Sequence, residues 1–259
     1  MKKGKGGDTA PDGGRNPYKG GGKKKAALKA SAPVQQDDPR LLVPGLVLVK
    51  DFISKEEEEQ LIQARPETAD SAVEEREWDL DLKRKVQQYG YRFEHNAQNL
   101  RGGYLGPLPD FAQQVTARLV STGLMPYEPD QMIINHYTPG QGIHPHVDKT
   151  HCFEGVVGSL GLGSSCIMEF KHIETGRRVD VFFERRTALM LTGEARYGWT
   201  HGISAVVSDT WKGVQFKRKN RISLTWRKVI LPPAKSDGEP RPQPTNDDSA
   251  HIDEQQATA

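Results

Sequence analysis

The chain has 259 residues, 35% of them hydrophobic, and a formal net charge of +2, which suits one sizeable core and excludes a uniformly basic, nucleic-acid-coating body. No apolar run is long enough to span a membrane and none has the make-up of a signal-peptide core, so a protein of the cytoplasm or nucleus with no membrane partner is expected. Cys152 and Cys166 lack a Cys-x-x-Cys spacing, which argues against a disulfide framework or zinc site and for buried free thiols.

Residues 1–30 hold nine Lys/Arg, two Asp and eight Gly, too little apolar surface to offset the entropy of ordering, and residues 1–39 read as a disordered basic arm. Within it Lys23-Lys24-Lys25 is open to three readings: a nuclear-localisation element, an RNA tether or a solubilising tail. Leu41 to Val49 reads as a strand pair around the Pro44-Gly45 turn. Ser54-Lys-Glu-Glu57 is a capping box that opens a helix ending before Pro66. Lys83-Arg84-Lys85 and, further on, Lys217-Arg-Lys-Asn-Arg221 are basic clusters able to neutralise phosphates, or else solvated faces.

Tyr89, Tyr91 and Phe93 alternate, which fits either one buried face of a strand or rings on which a splayed RNA base stacks. Pro109 to Val120 has helical spacing, with Phe111, Val115 and Leu119 as its buried stripe. Beyond Pro126 the pattern turns to strands, including Val179–Phe183 and Thr187–Leu191, with no helical period before the tail. Gly158, Gly161 and Gly163 precede no helix, so they mark close strand passage and not a dinucleotide fingerprint. Residues 231–259, with six acidic and two basic residues and repeated prolines, read as a disordered acidic tail. Head and tail carry +7 and −4, leaving residues 31–230 at −1, so any attraction for nucleic acid rests on the arm and on local patches.

Three segments carry chemistry. His146 and Asp148 are two apart, so on an extended chain both reach one ion, and His201 can complete a set of two imidazoles and one carboxylate that leaves coordination positions open. In Arg221-Ile-Ser-Leu-Thr-Trp-Arg227, alternation puts Arg221, Ser223, Thr225 and Arg227 on one face and Ile222, Leu224 and Trp226 on the other. Two inward arginines need an anion, and a dicarboxylate matches their planar donor forks. Asn135 and Tyr137, again two apart, add neutral donors on the strand leading to the metal motif. His144 shares a face with His146, so the spacing alone leaves it open as a ligand.

With these motifs, and with Pro129-Asp-Gln-Met-Ile-Ile-Asn-His-Tyr-Thr-Pro-Gly-Gln-Gly-Ile143, Met168-Glu-Phe-Lys-His172 and Leu191-Thr-Gly-Glu-Ala-Arg-Tyr-Gly-Trp-Thr-His-Gly-Ile203, the stretch from Leu41 to Lys228 resembles the AlkB family of Fe(II)- and 2-oxoglutarate-dependent dioxygenases. Within it the chain looks most like the branch whose dioxygenase domain hydroxylates a modified wobble uridine in tRNA. The resemblance implies a double-stranded β-helix (jelly-roll), mainly β with flanking helices, over residues 40–230. It implies His146, Asp148 and His201 as iron ligands, and Asn135, Tyr137 and Arg221 at the distal carboxylate of 2-oxoglutarate. Arg227 would lie near the keto-acid end, with Ser223 and Thr225 on the same inner face. Fe(II), 2-oxoglutarate and O2 are the expected cofactors.

For substrate contacts the resemblance points to Tyr89, Tyr91 and Phe93 in the lid segment, and the charge of Lys83, Arg84 and Lys85 makes that cluster a further candidate. Repair enzymes of the family that act on cationic methylated bases carry an acidic residue two positions beyond the iron carboxylate; Thr150 stands there, which suits a neutral base. The expectation is hydroxylation of 5-methoxycarbonylmethyluridine in tRNA by a monomeric enzyme, with the methyl ester made by a separate tRNA methyltransferase. The alternatives are an oxidative demethylase of nucleic acid or protein, and a non-catalytic RNA-binding module.

Overall fold

The computed structural model describes residues 39–63, 84–94, 100 and 103–231. The expected arm before Pro39, the tail after Leu231 and Lys83 lie outside the described residues. Two antiparallel sheets and flanking helices form the fold, in the order α1 (Pro39–Leu42), β1 (Leu46–Val49), α2 (Lys55–Gln63), β2 (Lys85–Gly90), α3 (Asp110–Ser121), β3 (Gln131–Tyr137), β4 (Ile143–His146), β5 (Val157–Leu162), β6 (Cys166–His172), β7 (Arg178–Phe183), β8 (Ala188–Leu191), α4 (Gly193–Tyr197), β9 (Trp199–Ile203), β10 (Ser208–Trp211), β11 (Val214–Lys217) and β12 (Arg221–Arg227). One sheet runs β1-β8-β5-β12-β3-β2, the other β4-β9-β6-β7, and β10-β11 is a separate hairpin.

The strand pair expected around Pro44-Gly45 is instead a short helix followed by one strand: β1 pairs with β8 alone, and Gly45, at φ +87°, makes the turn between α1 and β1. Proline at the first helical position supplies the φ that a helix start needs, so the apolar Leu41 and Leu42 fall in a helical turn. The capping box forms: the Ser54 N–H donates to Glu57 Oε2 at 2.8 Å and the Glu57 N–H to Ser54 Oγ at 3.1 Å. Arg118 of α3 pairs with the same Glu57 and donates to the Phe52 carbonyl, which joins the two helices.

Strand β12 explains the layering. Its outward residues Ile222, Leu224 and Trp226 are buried against α2 and α3 together with Val115, Leu119, Met132 and Ile134, each large side chain contributing about 1.5–3 kcal/mol by leaving water. Trp226 Nε1 donates to Thr116 Oγ1 of α3 at 2.9 Å, so the buried indole keeps its hydrogen bond. The second core fills the space between the sheets and includes Phe170, Val181, Phe183, Leu189, Leu191 and Trp199. The polar face of β12 is thereby turned into the gap between the sheets. The one-turn helix α4 has no sequence period because five residues are too few to show one.

Gly158, Gly161 and Gly163 are strand-passage glycines. A Cβ on Gly163, at φ +77°, would lie 2.6 Å from the Asn220 carbonyl oxygen, and a Cβ on Gly158 would lie 2.8 Å from Met190 Cε. Neither Cys152 nor Cys166 is in a disulfide, and both are buried. No helix among the described residues is long and apolar enough to cross a membrane.

Candidate active site

The two sheets face each other across one cavity, and each brings half of the site. On the six-stranded sheet, β12 pairs antiparallel with β3 so that Arg221 lies opposite Tyr137, Ser223 opposite Asn135, Thr225 opposite Ile133 and Arg227 opposite Gln131. On the other side of β12, Thr225 faces Ser159, and the two hydroxyls are 3.0 Å apart. On the four-stranded sheet, His146 and His201 are cross-strand partners of β4 and β9, with ring centroids 4.5 Å apart. All of these except Ile133 and Gln131 line the cavity, whose apolar wall includes Leu189, Leu191 and Ile203.

His146, Asp148 and His201 place their potential ligand atoms within 4.8 Å of one another. The His146 Nδ1 lies 2.8 Å from the His144 carbonyl; a carbonyl only accepts, so Nδ1 carries the hydrogen and Nε2 keeps its lone pair for a metal. The His144 side chain itself is exposed. His201 Nε2 is 3.6 Å from Asp148 Oδ2, and burial, reinforced by His146, pushes the His201 pKa down to about 3, leaving a neutral imidazole as metal binding requires. Burial alone would raise the Asp148 carboxyl, but neighbouring charges, Arg227 foremost, hold it well below the ordinary carboxylate range. Two imidazoles and an ionised carboxylate around one point suit a divalent iron.

The arginines differ. Arg227 donates to Asp148 Oδ1 at 2.6 Å and to Gln131 Oε1 at 3.2 Å, with Phe153 beneath it at 4.8 Å from the ring centroid. Arg221 is 4% exposed, yet its Nε, Nη1 and Nη2 have no hydrogen-bond acceptor among the described residues; the faces of Tyr137 and Phe183 lie against it, at 5.6 and 4.9 Å, with the Cys166 thiol beside it. A buried, unpaired guanidinium is costly unless an anion completes it. The Tyr137 phenol is pushed up by burial and remains a neutral donor. The cavity thus joins a three-ligand metal position to a cationic end that fits a small dicarboxylate.

Residues 45–227 match the 2OG-Fe(II) oxygenase superfamily. The chain belongs to this family. Its relatives place it in the AlkB branch. It is 36% identical over 207 residues to the tRNA (carboxymethyluridine(34)-5-O)-methyltransferase alkbh8 of Xenopus tropicalis, covering 73% of this chain and 32% of that protein. It is 33% identical over 221 residues to the Arabidopsis thaliana "Alkylated DNA repair protein ALKBH8 homolog", covering 76% of this chain and 62% of that protein. The chain thus spans about a third of the length of the Xenopus relative. Among solved structures, that of OsALKBH1 shares the fold, with a TM-score of 0.51 at 19% identity, covering 71% of this chain and 97% of that one. This AlkB-like dioxygenase accordingly uses Fe(II), 2-oxoglutarate and O2.

The substrate-side expectations need correction. Tyr89 points away from the cavity into the helix-facing core, edge-on to Phe111 at 6.1 Å. Phe93 is buried against Phe153. The three aromatics do not share one face, because β2 ends at Gly90, whose φ of +74° turns the chain. Only Tyr91 stays half-exposed, in contact with the exposed Tyr104. The basic clusters also divide: Lys85 is exposed, but Arg84 is half-buried and bonded to Asn135. In the second cluster, Arg218 is buried and holds Asp209 through two hydrogen bonds of 2.6 and 2.7 Å, and Arg221 is buried too, so of its basic residues Lys217 and Lys219 face solvent.

Sequence reasoning misses the part played by four residues. Ser159 and Gln131 are open to it, since both continue the alternation of Gly161 and of Asn135. Arg84 sits in a run that reads as surface charge. Arg196 leaves no local sign: it is 1% exposed and caps the carbonyls of Asp148 at 2.7 Å and Phe153 at 3.2 Å, which fixes the backbone that carries the carboxylate.

Proposed function

We propose that the enzyme hydroxylates a neutral modified uridine, 5-methoxycarbonylmethyluridine, at the wobble position of tRNA. The observation that carries this reading is Thr150, exposed on the turn two residues beyond Asp148: a neutral hydroxyl offers no counter-charge to a cationic methylated base. The relatives whose names speak of uridine 34 in tRNA support it. His146, Asp148 and His201 would hold the iron, with Arg221, Tyr137 and Asn135 on the distal carboxylate of 2-oxoglutarate and Arg227 near its keto-acid end. Bound there, iron and 2-oxoglutarate would activate O2, one oxygen atom passing into the substrate C–H to give C–OH and the other into succinate as the co-substrate loses CO2.

The chain's own residues supply the rest. Arg221 neutralises and orients the dicarboxylate, Leu189, Leu191 and Ile203 keep water from the cavity, and Arg227 with Arg196 holds Asp148 in place. Tyr91 and Tyr104 offer exposed ring surface on which a splayed base can stack. The exposed Lys85, Lys217 and Lys219 are the phosphate contacts of this reading. A hydroxyl set on a carbon not bonded to nitrogen persists, so the product is a modified nucleoside.

The test incubates the protein with Fe(II), ascorbate, 2-oxoglutarate and tRNA bearing 5-methoxycarbonylmethyluridine, followed by nucleoside mass spectrometry. Gain of one oxygen on that nucleoside, lost in His146→Ala, is the expected result. An unchanged nucleoside together with formaldehyde from methylated RNA or DNA would move the assignment to demethylation.

A further inference from the structure

Arg84 immediately precedes β2, and the pairing of Lys85 with His136 and Val86 with Asn135 carries position 84 alongside Tyr137, on the cavity side of the sheet. Its Nε donates to Asn135 Oδ1 at 2.7 Å, and its guanidinium carbon lies 5.9 Å from the centroid of the Tyr137 ring. Arg221 approaches the same ring at 5.6 Å, so the phenol sits among two cations.

A guanidinium has donors and no acceptor, so it binds the oxygen end of an amide and not the nitrogen end. The orientation of Asn135 is therefore decided: its oxygen is committed to Arg84 and its NH2 end is turned the other way. A carboxylate accepts only, and an asparagine presented oxygen-first would repel it. We propose that Arg84 is a positioning residue of the 2-oxoglutarate site, which locks Asn135 as a donor. It acts through Asn135, and its charge is used inside the fold instead of on a phosphate. This rests on the reading of the cavity as the 2-oxoglutarate site.

The test is a double-mutant cycle on 2-oxoglutarate affinity, measured by calorimetry with Mn(II) in the metal position so that no turnover occurs, alongside KM and kcat with Fe(II). Arg84→Met raises the Kd for 2-oxoglutarate about tenfold, the scale of one lost charge-assisted hydrogen bond, while kcat at saturating 2-oxoglutarate stays within about twofold. Asn135→Ala has a similar effect, and the double variant is no worse than Asn135→Ala alone, as expected of residues acting as one unit. Arg84→Lys, which keeps a donor and the charge, lies between wild type and Arg84→Met and serves if the methionine variant does not fold.

Multiplying effects in the double variant would overturn the proposal, as would an unchanged Kd with weakened tRNA binding. Arg221→Met is the control: if it leaves the Kd unchanged, the cavity reading itself fails, whereas a raised Kd there with none in Arg84→Met removes Arg84 alone.

Discussion

Arg227 and Asp148 form a 2.6 Å ion pair in which both side chains are almost wholly shielded from water. The other oxygen of the carboxylate faces His201 Nε2 at 3.6 Å, so Asp148 is divided between a permanent cation and the metal position. Replacing Arg227 by Met strips that buried carboxylate of its ion-pair partner in the metal-free protein and leaves Arg196 as the nearby positive charge. A loss of about 3 kcal/mol is expected, the usual scale for breaking a buried pair from one side. Mn(II) should recover much of it by supplying the missing charge. Urea unfolding with and without Mn(II) reads both values, and an equal loss in the two conditions would mean that the metal does not bind at Asp148.

The opposite sign is expected at Arg221. Its guanidinium is buried without a hydrogen-bond acceptor among the described residues, so in the protein without co-substrate the faces of Tyr137 and Phe183 offset only part of its desolvation. Arg221→Met, similar in length and apolar, should leave the stability of that form unchanged or raise it by about 1–2 kcal/mol. The same change should raise the KM for 2-oxoglutarate about a hundredfold or more, since truncating one partner of a buried charged contact costs roughly 2–5 kcal/mol. Thermal melts with and without 2-oxoglutarate, together with steady-state kinetics, separate the two effects.

Alternation makes β12 and β3 legible in the sequence, because a strand covered on its two sides by different chemistry carries both faces in its residue order. Register does the rest: Arg221 opposite Tyr137 and Ser223 opposite Asn135 are consequences of two faces that must both be satisfied. Charge is far less legible. Arg84 and Arg218 sit in runs that read as surface patches, but their partners, Asn135 and Asp209, lie 51 and 9 residues away, and no local pattern announces a distant acceptor. Arg196 is the extreme case, since its partners are backbone carbonyls, which any residue has.

The aromatics after Lys85 provide a separation of packing from recognition. Tyr89 is 5% exposed in the helix-facing core, so Tyr89→Ala should cost about 3 kcal/mol as a large-to-small core change and leave the KM for tRNA, the substrate proposed above, within about twofold. Tyr91→Ala should do the reverse: less than about 1 kcal/mol in stability and a weakened KM for tRNA of about tenfold, the scale of one lost base-stacking contact. Chemical denaturation paired with kinetics on tRNA distinguishes them. A tRNA defect in Tyr89→Ala beyond its loss of folded protein would return that ring to the substrate.

Two glycines on the same strand run make a sharper contrast. At Gly158 a Cβ would meet the Met190 methyl, the free end of a flexible side chain, while at Gly163 it would meet the rigid carbonyl of Asn220 at 2.6 Å, at a positive φ of +77°. The Gly163 N–H also donates at 2.8 Å to Glu58, a fully buried carboxylate held by Arg185. Asn220 leads directly into Arg221, so a displaced Asn220 carbonyl shifts the arginine that awaits the dicarboxylate. Gly163→Ala is therefore expected to lose about 1–3 kcal/mol, the range for strained backbone, and to raise the KM for 2-oxoglutarate several-fold, about 3- to 10-fold for a small misplacement of its binding group. Gly158→Ala should cost less than about 1 kcal/mol and leave that KM unchanged, because Met190 can change rotamer. Unfolding and 2-oxoglutarate titrations on the two variants decide it, and equal behaviour would mean that the Asn220 backbone is free to move and does not set the position of Arg221.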